Sequence, residues 1–156
     1  MLNNLVIHCN RLEWLDFAWW VALSIASSVL VPEVDVVVAF YGVPSSRLAD
    51  PAQAKAPVQA RFGELDNFVG FLRCYALEGA LQAAKTQEEK LKASGIPYEV
   101  HIYPGNAHAF MNRSPEGVKR RKDMGMPDED EASSELAWSA FGNLHHHEMS
   151  QRRCSA

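Results

Sequence analysis

The chain has 156 residues, enough for one domain with a single hydrophobic core, and 47% of its residues are apolar. Its net charge of -4 excludes the strong basic field that nucleic acid or an anionic membrane surface would attract. The three cysteines, Cys9, Cys74 and Cys154, are scattered and contain no CxxC pair. This pattern argues against a disulfide framework and a structural zinc site, so we expect no metal, no cofactor and a reducing, cytoplasmic compartment.

The first predicted element is an apolar helix over residues 14–30. Residues 14–31 are almost continuously apolar, interrupted by Asp16 and several serines. Their length is at the lower limit for a membrane-spanning helix, and the preceding Arg11 and Glu13 do not form the positive cluster of a signal peptide. We therefore expect a helix buried on most faces in a soluble domain, with a membrane anchor as the alternative.

The later predicted elements alternate between strands and helices. They are a buried strand over 34–41, a loop over 45–57, a strand over 58–63, a helix over 72–94 ending before Gly95, a strand over 98–103, a tight turn over 104–108, a polar charged loop over 114–127 and a helix over 128–142. Strands that alternate with helices predict a parallel sheet covered on both faces.

Two chemically useful side chains follow the ends of predicted strands. Asp66 comes just after the second strand, and His108 comes just after the third. Functional groups of parallel sheets lie at the carboxyl ends of the strands, so these two side chains can meet. A carboxylate that orients an imidazole is the acid–base part of a catalytic triad. The alternative is that Asp66 is a turn residue and His108 an ordinary loop histidine.

Several stretches of the chain resemble the dienelactone hydrolase family. They are Val31–Asp35 with Ala39–Gly42, Phe62–Val69, Tyr103–Phe110, the loop over 112–121, and Ala137 with Trp138. The resemblance spans roughly residues 17–140, and its Gly-x-x-Asp and Gly-x-x-His-x-Phe turns carry most of its specificity. It implies that Asp66 is the acid and His108 the base of the triad, with carboxylic esters or lactones as substrates.

The resemblance also implies a fold and its limits. The expected architecture is a partial α/β-hydrolase three-layer sandwich with a mainly parallel sheet of about three strands and flanking helices. The expected truncated domain covers residues 14–142, with irregular ends at 1–13 and 143–156. His145–His147 then belong to a solvated tail, since three adjacent side chains cannot share one metal ion on a helix. The basic run Lys119–Lys122 is expected to be a solvated loop that pairs with the acids at 128–131.

The family's nucleophile elbow has lost its key residues in this chain. Residues 16–23 resemble Gly-Phe-Cys-Trp-Gly-Gly-Ala-Leu, and Ala18 stands where the family has its cysteine. A methyl group cannot attack a carbonyl, and Trp20 and Val21 replace glycines that let the elbow turn sharply. We therefore expect impaired activity on a small-molecule ester or lactone. The alternative is a non-catalytic interaction protein or a non-functional fragment, which could self-associate through exposed apolar surface.

Overall fold

The computed structural model describes residues 17–66, 79–128 and 130–139, with the backbone alone at 17–22 and Ala80. Its elements follow in chain order: α1 (Phe17–Leu30), β1 (Val37–Phe40), a short 3-10 helix (Pro51–Gln53), β2 (Val58–Gly63), α2 (Gly79–Ser94), β3 (Tyr98–Tyr103), α3 (Pro115–Asp123) and α4 (131–139). Among these residues, no helix is both long and apolar enough to cross a membrane.

The three strands form a parallel sheet in the order β1-β2-β3. Val37 of β1 aligns with Val58 of β2, and Val58 aligns with Tyr98 of β3. All three strands therefore end at one edge of the sheet, where the chain turns toward Asp66 after β2 and toward His108 after β3. This edge is where a parallel sheet places its functional groups, as the sequence predicts.

Helices cover the sheet on both faces, which gives the expected three-layer α/β architecture. On one face, α1 and α2 pack against alternate strand residues, with Ile25, Val37, Val58 and Leu91 among the most deeply buried. The other face is covered by the turn after β3 and by α4. Its core consists of Tyr41, Tyr103, Ala109, Phe110, Met111 and Ala137, with Phe40 packed against them.

The first strand is shorter than the predicted strand over 34–41. It begins at Val37, because Val34 donates its backbone N–H to the carbonyl of Val31 in a turn after α1. It ends at Phe40, because Tyr41 adopts the left-handed conformation with φ 64°. A non-glycine residue there interrupts a strand, and only the surrounding structure can hold it. By contrast, β2 and β3 have the predicted bounds.

The predicted loop over 114–127 is wrong, because α3 occupies Pro115–Asp123. Ser114 caps this helix by accepting the backbone N–H of Gly117 at 3.0 Å, and Pro115 follows at a position where a helix tolerates proline. The helix buries Gly117 and Arg121 and has no apolar stripe, so hydrophobic periodicity gave no signal. The prediction of a solvated side chain is wrong for Arg121, which is buried. Lys122 does pair with Asp128, as predicted, at 3.5 Å.

Several other predictions fall partly or wholly outside the described residues. They concern the beginnings of the helices predicted at 14 and 72, the end of the helix predicted at 142, all three cysteines, His145–His147 and the proposed domain limits. Within the described part, the expected loop over 45–57 contains the 3-10 helix, which Asp50 caps.

Candidate active site

The turn after β2 places Asp66 at the carboxyl edge of the sheet. Its backbone N–H is donated to the carbonyl of Gly63 at 3.1 Å, which closes a tight turn directly after the strand. The Asp66 side chain is only 5% exposed. A buried carboxylate is costly unless it has hydrogen-bond donors, so this position requires a partner.

The partner of Asp66 is His108. Nδ1 of His108 lies 2.8 Å from Oδ2 of Asp66, and the imidazole side chain is 13% exposed. The two residues are 42 positions apart in the sequence and meet only because β2 and β3 are neighbouring strands. A carboxylate on Nδ1 selects the tautomer with the proton on that nitrogen, which makes Nε2 the basic nitrogen. The structure thus brings together both residues that the sequence singled out.

The turns that carry Asp66 and His108 are joined by hydrogen bonds. The N–H of Glu64 is donated to the Tyr103 carbonyl at 3.0 Å, and the N–H of Leu65 to the Asn106 carbonyl at 2.9 Å. In return, the N–H of Gly105 is donated to the Glu64 carboxylate at 3.0 Å. These contacts fix the turns relative to each other, so the distance between Asp66 and His108 does not depend on their own hydrogen bond alone.

Gly63 makes this close approach of the turns possible. A Cβ atom at this position would lie 2.5 Å from the Asn106 carbonyl oxygen and 2.7 Å from that of Ala107. Both atoms belong to the backbone of the segment that leads to His108. The glycine of the Gly-x-x-Asp motif therefore allows the two turns to come into contact. Its position in the sequence alone does not reveal this.

Tyr41, at the end of β1, packs against the imidazole. Its ring centroid lies 5.3 Å from that of His108 and 5.6 Å from that of Phe110. The Tyr41 hydroxyl accepts the backbone N–H of Met111 at 2.9 Å. Burial raises the pKa of the Tyr41 phenol above its ordinary value, against the opposing effects of the Met111 hydrogen bond and the Arg121 charge. The sequence did not predict this contact with His108, because Tyr41 was interpreted only as the last residue of a strand.

The neutral state of Tyr41 predicts a loss of stability at alkaline pH. Because the pKa is raised in the folded state, the stabilisation is complete below the unfolded value of about 10 and is lost as the pH rises above it, by about 1.4 kcal/mol per pH unit. Tyr41→Phe removes this dependence. We expect the unfolding free energy of the wild type to fall, relative to that of Tyr41→Phe, by about 1 kcal/mol from pH 10 to 11. Urea unfolding followed by circular dichroism measures it, and a constant difference would contradict the prediction.

Ala18, which the family resemblance aligns with the nucleophile cysteine, lies at the beginning of α1. This helix begins at Phe17, so Ala18 is in its first turn. Serines also lie further along the same helix. Ser27 and Ser28 are buried and donate their hydroxyls to the helix carbonyls of Ser24 and Ile25.

The residues 17–66, 79–128 and 130–139 contain no group of three or more histidine, cysteine or acidic side chains that could hold a metal ion.

The sequence matches one family model over residues 17–149, which is most of the chain. The chain belongs to the dienelactone hydrolase family. The match includes both Asp66 and His108, and the family assignment agrees with the resemblance described above. No curated protein matches the chain at a significant level.

Two solved structures support the dienelactone hydrolase fold. A putative dienelactone hydrolase from Klebsiella pneumoniae subsp. pneumoniae MGH 78578 has 19% sequence identity and a TM-score of 0.55, with 80% of this chain and 47% of that chain covered. The dienelactone hydrolase-like promiscuous phosphotriesterase P91 from metagenomic libraries has 14% identity and a TM-score of 0.60, with 83% and 49% covered. This chain thus spans about half the length of the structures it matches.

Proposed function

We propose that this chain carries the acid–base part of a carboxylic ester or lactone hydrolase, in which Asp66 orients His108 as the general base. The observation that carries the proposal is the 2.8 Å contact between Asp66 Oδ2 and His108 Nδ1 at the carboxyl edge of the sheet. Membership of the dienelactone hydrolase family supports the class of substrate.

Because Ala18 stands at the position of the family's cysteine, the proposed reaction is direct attack by water. Nε2 of His108 takes a proton from a water molecule, whose oxygen adds to the carbonyl carbon of the ester or lactone. The bond from that carbon to the leaving oxygen then breaks, and His108 returns the proton to this oxygen, which gives a carboxylic acid and an alcohol. Because this route forgoes the covalent intermediate of a cysteine enzyme, we propose that the activity is weak.

Replacing His108 tests the proposed base. His108→Ala is expected to lower the turnover of aryl acetates by about tenfold, toward the background rate, because general-base catalysis is lost. Asp66→Asn should give a similar loss, since the amide no longer fixes the tautomer of the imidazole. The control is His101→Ala, which changes a partly exposed histidine paired with Glu99 on β3. Equal turnover in the wild type and the His108 variant would remove the proposed role.

Restoring a thiol tests the proposed loss of the nucleophile. Ala18→Cys is expected to raise aryl acetate turnover by at least about tenfold, because a thiol activated by an imidazole is a far better nucleophile than water. The measurement is ester hydrolysis before and after treatment with iodoacetamide, with Ala22→Cys on the same helix as the control. A gain that persists in Ala18→Cys combined with His108→Ala would contradict the proposed triad geometry.

The second candidate is a non-catalytic interaction protein or a non-functional fragment, and Ala18 at the nucleophile position favours it. Exposed apolar side chains in the described part of the chain, such as Leu30 and Leu136, would then support self-association. Sedimentation velocity and ester hydrolysis on one sample separate the two candidates. Oligomers without His108-dependent turnover favour the second, whereas such turnover in a monomer favours the first. The cytoplasmic location stays a prediction.

A further inference from the structure

The turn that follows His108 has an unfavourable backbone conformation. Ala109 has φ 57°, in the left-handed region that non-glycine residues rarely adopt. Its neighbour Phe110 is fully buried, so the turn cannot relax by moving its side chains into solvent. A residue held in this region requires contacts that over-determine its conformation, and such residues concentrate at functional sites.

Arg121 of α3 adds two hydrogen bonds to this turn, beside the backbone bond that the Asn112 N–H donates to the Ala109 carbonyl at 2.9 Å. The Arg121 side chain is buried, and its Nη1 atom donates to the carbonyl oxygens of Ala109 at 2.7 Å and of Asn112 at 2.6 Å. One guanidinium group therefore joins the beginning and the end of the turn. Charge-assisted hydrogen bonds of this kind are stronger than those between neutral groups.

Neighbouring elements add contacts to the same turn. Ser134 of α4 donates its hydroxyl to the Phe110 carbonyl at 3.2 Å, and Tyr41 accepts the Met111 N–H. The helix that carries Arg121 reaches the turn because Gly117 lies against the Asn112 side chain. A Cβ at Gly117 would approach the Asn112 carboxamide to 2.7 Å. Arg121 is nevertheless the side chain that bonds to the carbonyl of the strained residue itself.

We propose that Arg121 is a positioning residue, whose guanidinium holds the left-handed turn at Ala109 and thereby keeps His108 Nδ1 on the Asp66 carboxylate. This inference rests on the proposed function of Asp66 and His108. The inference assigns a role to α3, whose basic residues the sequence analysis interpreted only as part of a solvated loop. Without Arg121, Ala109 reverts toward favoured backbone conformations, and the preceding imidazole rotates away from Asp66.

The tautomer of His108 reports this positioning directly. In long-range 1H–15N correlation spectra of the full chain at pH 8, we expect wild-type His108 to carry its proton on Nδ1. Arg121→Met removes both hydrogen bonds while it keeps an unbranched side chain of similar length. In this variant, we expect the fraction of the Nδ1–H tautomer to fall at least about twofold, because the carboxylate no longer selects it. The spectra are recorded well below the melting temperature, where lower stability alone leaves the tautomer unchanged.

The matched control is Arg120→Met, which changes the adjacent arginine of the same helix, where the side chain is exposed. It should leave the tautomer as in the wild type. If Arg121→Met does not fold, Arg121→Lys tests the role of Arg121 instead. A single ammonium retains the charge and can bond to one of the two carbonyls. An intermediate tautomer fraction in this variant supports the proposal, and a wild-type fraction overturns it.

The pairing of Asp66 with His108 and the role of Arg121 are tested separately. A wild-type protein whose His108 lacks the Nδ1 proton refutes the pairing under the proposed function, and the role of Arg121 falls with it. A wild-type protein that has this proton, together with a folded Arg121→Met variant that keeps it in full, overturns only the role of Arg121.

Discussion

Arg61→Ala is expected to lower the free energy of unfolding by about 3–5 kcal/mol, because it leaves a cavity at a fully buried position and breaks the hydrogen-bond network around the guanidinium. Arg61 lies in the middle of β2 and is fully buried. It donates to the Tyr103 hydroxyl at 2.8 Å, to the Gln59 side-chain oxygen at 2.5 Å and to the Ala137 carbonyl of α4. Burial lowers the pKa of Arg61 from its ordinary value, and the neighbouring Tyr103 opposes this shift.

A second substitution at Arg61 separates the charge from the packing. Within the described part of the chain, its Nε atom has no hydrogen-bond partner, so the buried guanidinium is not fully compensated. Arg61→Met fills most of the volume without a charge and should cost about half as much as Arg61→Ala. Urea unfolding measures both variants, with Arg47→Ala at an exposed arginine as the control, expected within about 0.5 kcal/mol of the wild type. A loss below 1 kcal/mol in Arg61→Ala would contradict the role of the network.

Gly63→Ala is expected to lower the free energy of unfolding by about 2–3 kcal/mol and to separate Asp66 from His108. In most strands, alanine is more favourable than glycine by about 0.5–1 kcal/mol. Here the added Cβ would lie 2.5 Å from a backbone oxygen of Asn106, and backbone atoms cannot move aside as a flexible side chain can. The segment before His108 must therefore shift away from β2.

Gly105→Ala is the matched control for this clash. Gly105 lies in the turn after β3, has φ 70° and has open space around the position of a Cβ. Its substitution should cost about 1 kcal/mol through the backbone conformation, without moving the segment. Urea unfolding together with the Nδ1 proton signal of His108 distinguishes the two variants. A Gly63→Ala protein that keeps this signal and matches the stability of Gly105→Ala would show that the close approach is not required.

The sequence predicted the elements whose side chains follow a simple hydrophobic pattern. β2 and β3 have the predicted bounds because glycine or proline borders both strands and apolar residues alternate along β3. The contact between Asp66 and His108 could be expected because strand ends in a parallel sheet meet at one edge, and because the family's turns are specific, whereas their catalytic role stays a prediction. These inferences use local pattern, the general geometry of the fold and the resemblance to a family.

The parts that sequence reasoning missed depend on polar groups buried by tertiary contacts. The helix α3 buries Gly117 and Arg121 and no apolar stripe, so its sequence is typical of a solvated loop. Arg61 lies in a strand predicted to be buried, but no sequence pattern shows which carbonyls will accept its hydrogen bonds. A cap signal was present, since Ser114 precedes Pro115 and Glu116, and it could have identified α3.

The strand β3 forms one edge of the sheet in the described part of the chain. Among the described strands, β3 pairs only with β2, and its backbone is a potential template for a strand of another molecule. Glu99 remains partly exposed along it and bonds to Gln59 and His101. A foreign strand added there would have to desolvate this carboxylate, and an identical copy would bring a second one beside it. We therefore expect the charge that orders this polar network also to oppose the addition of a strand at this edge of the sheet.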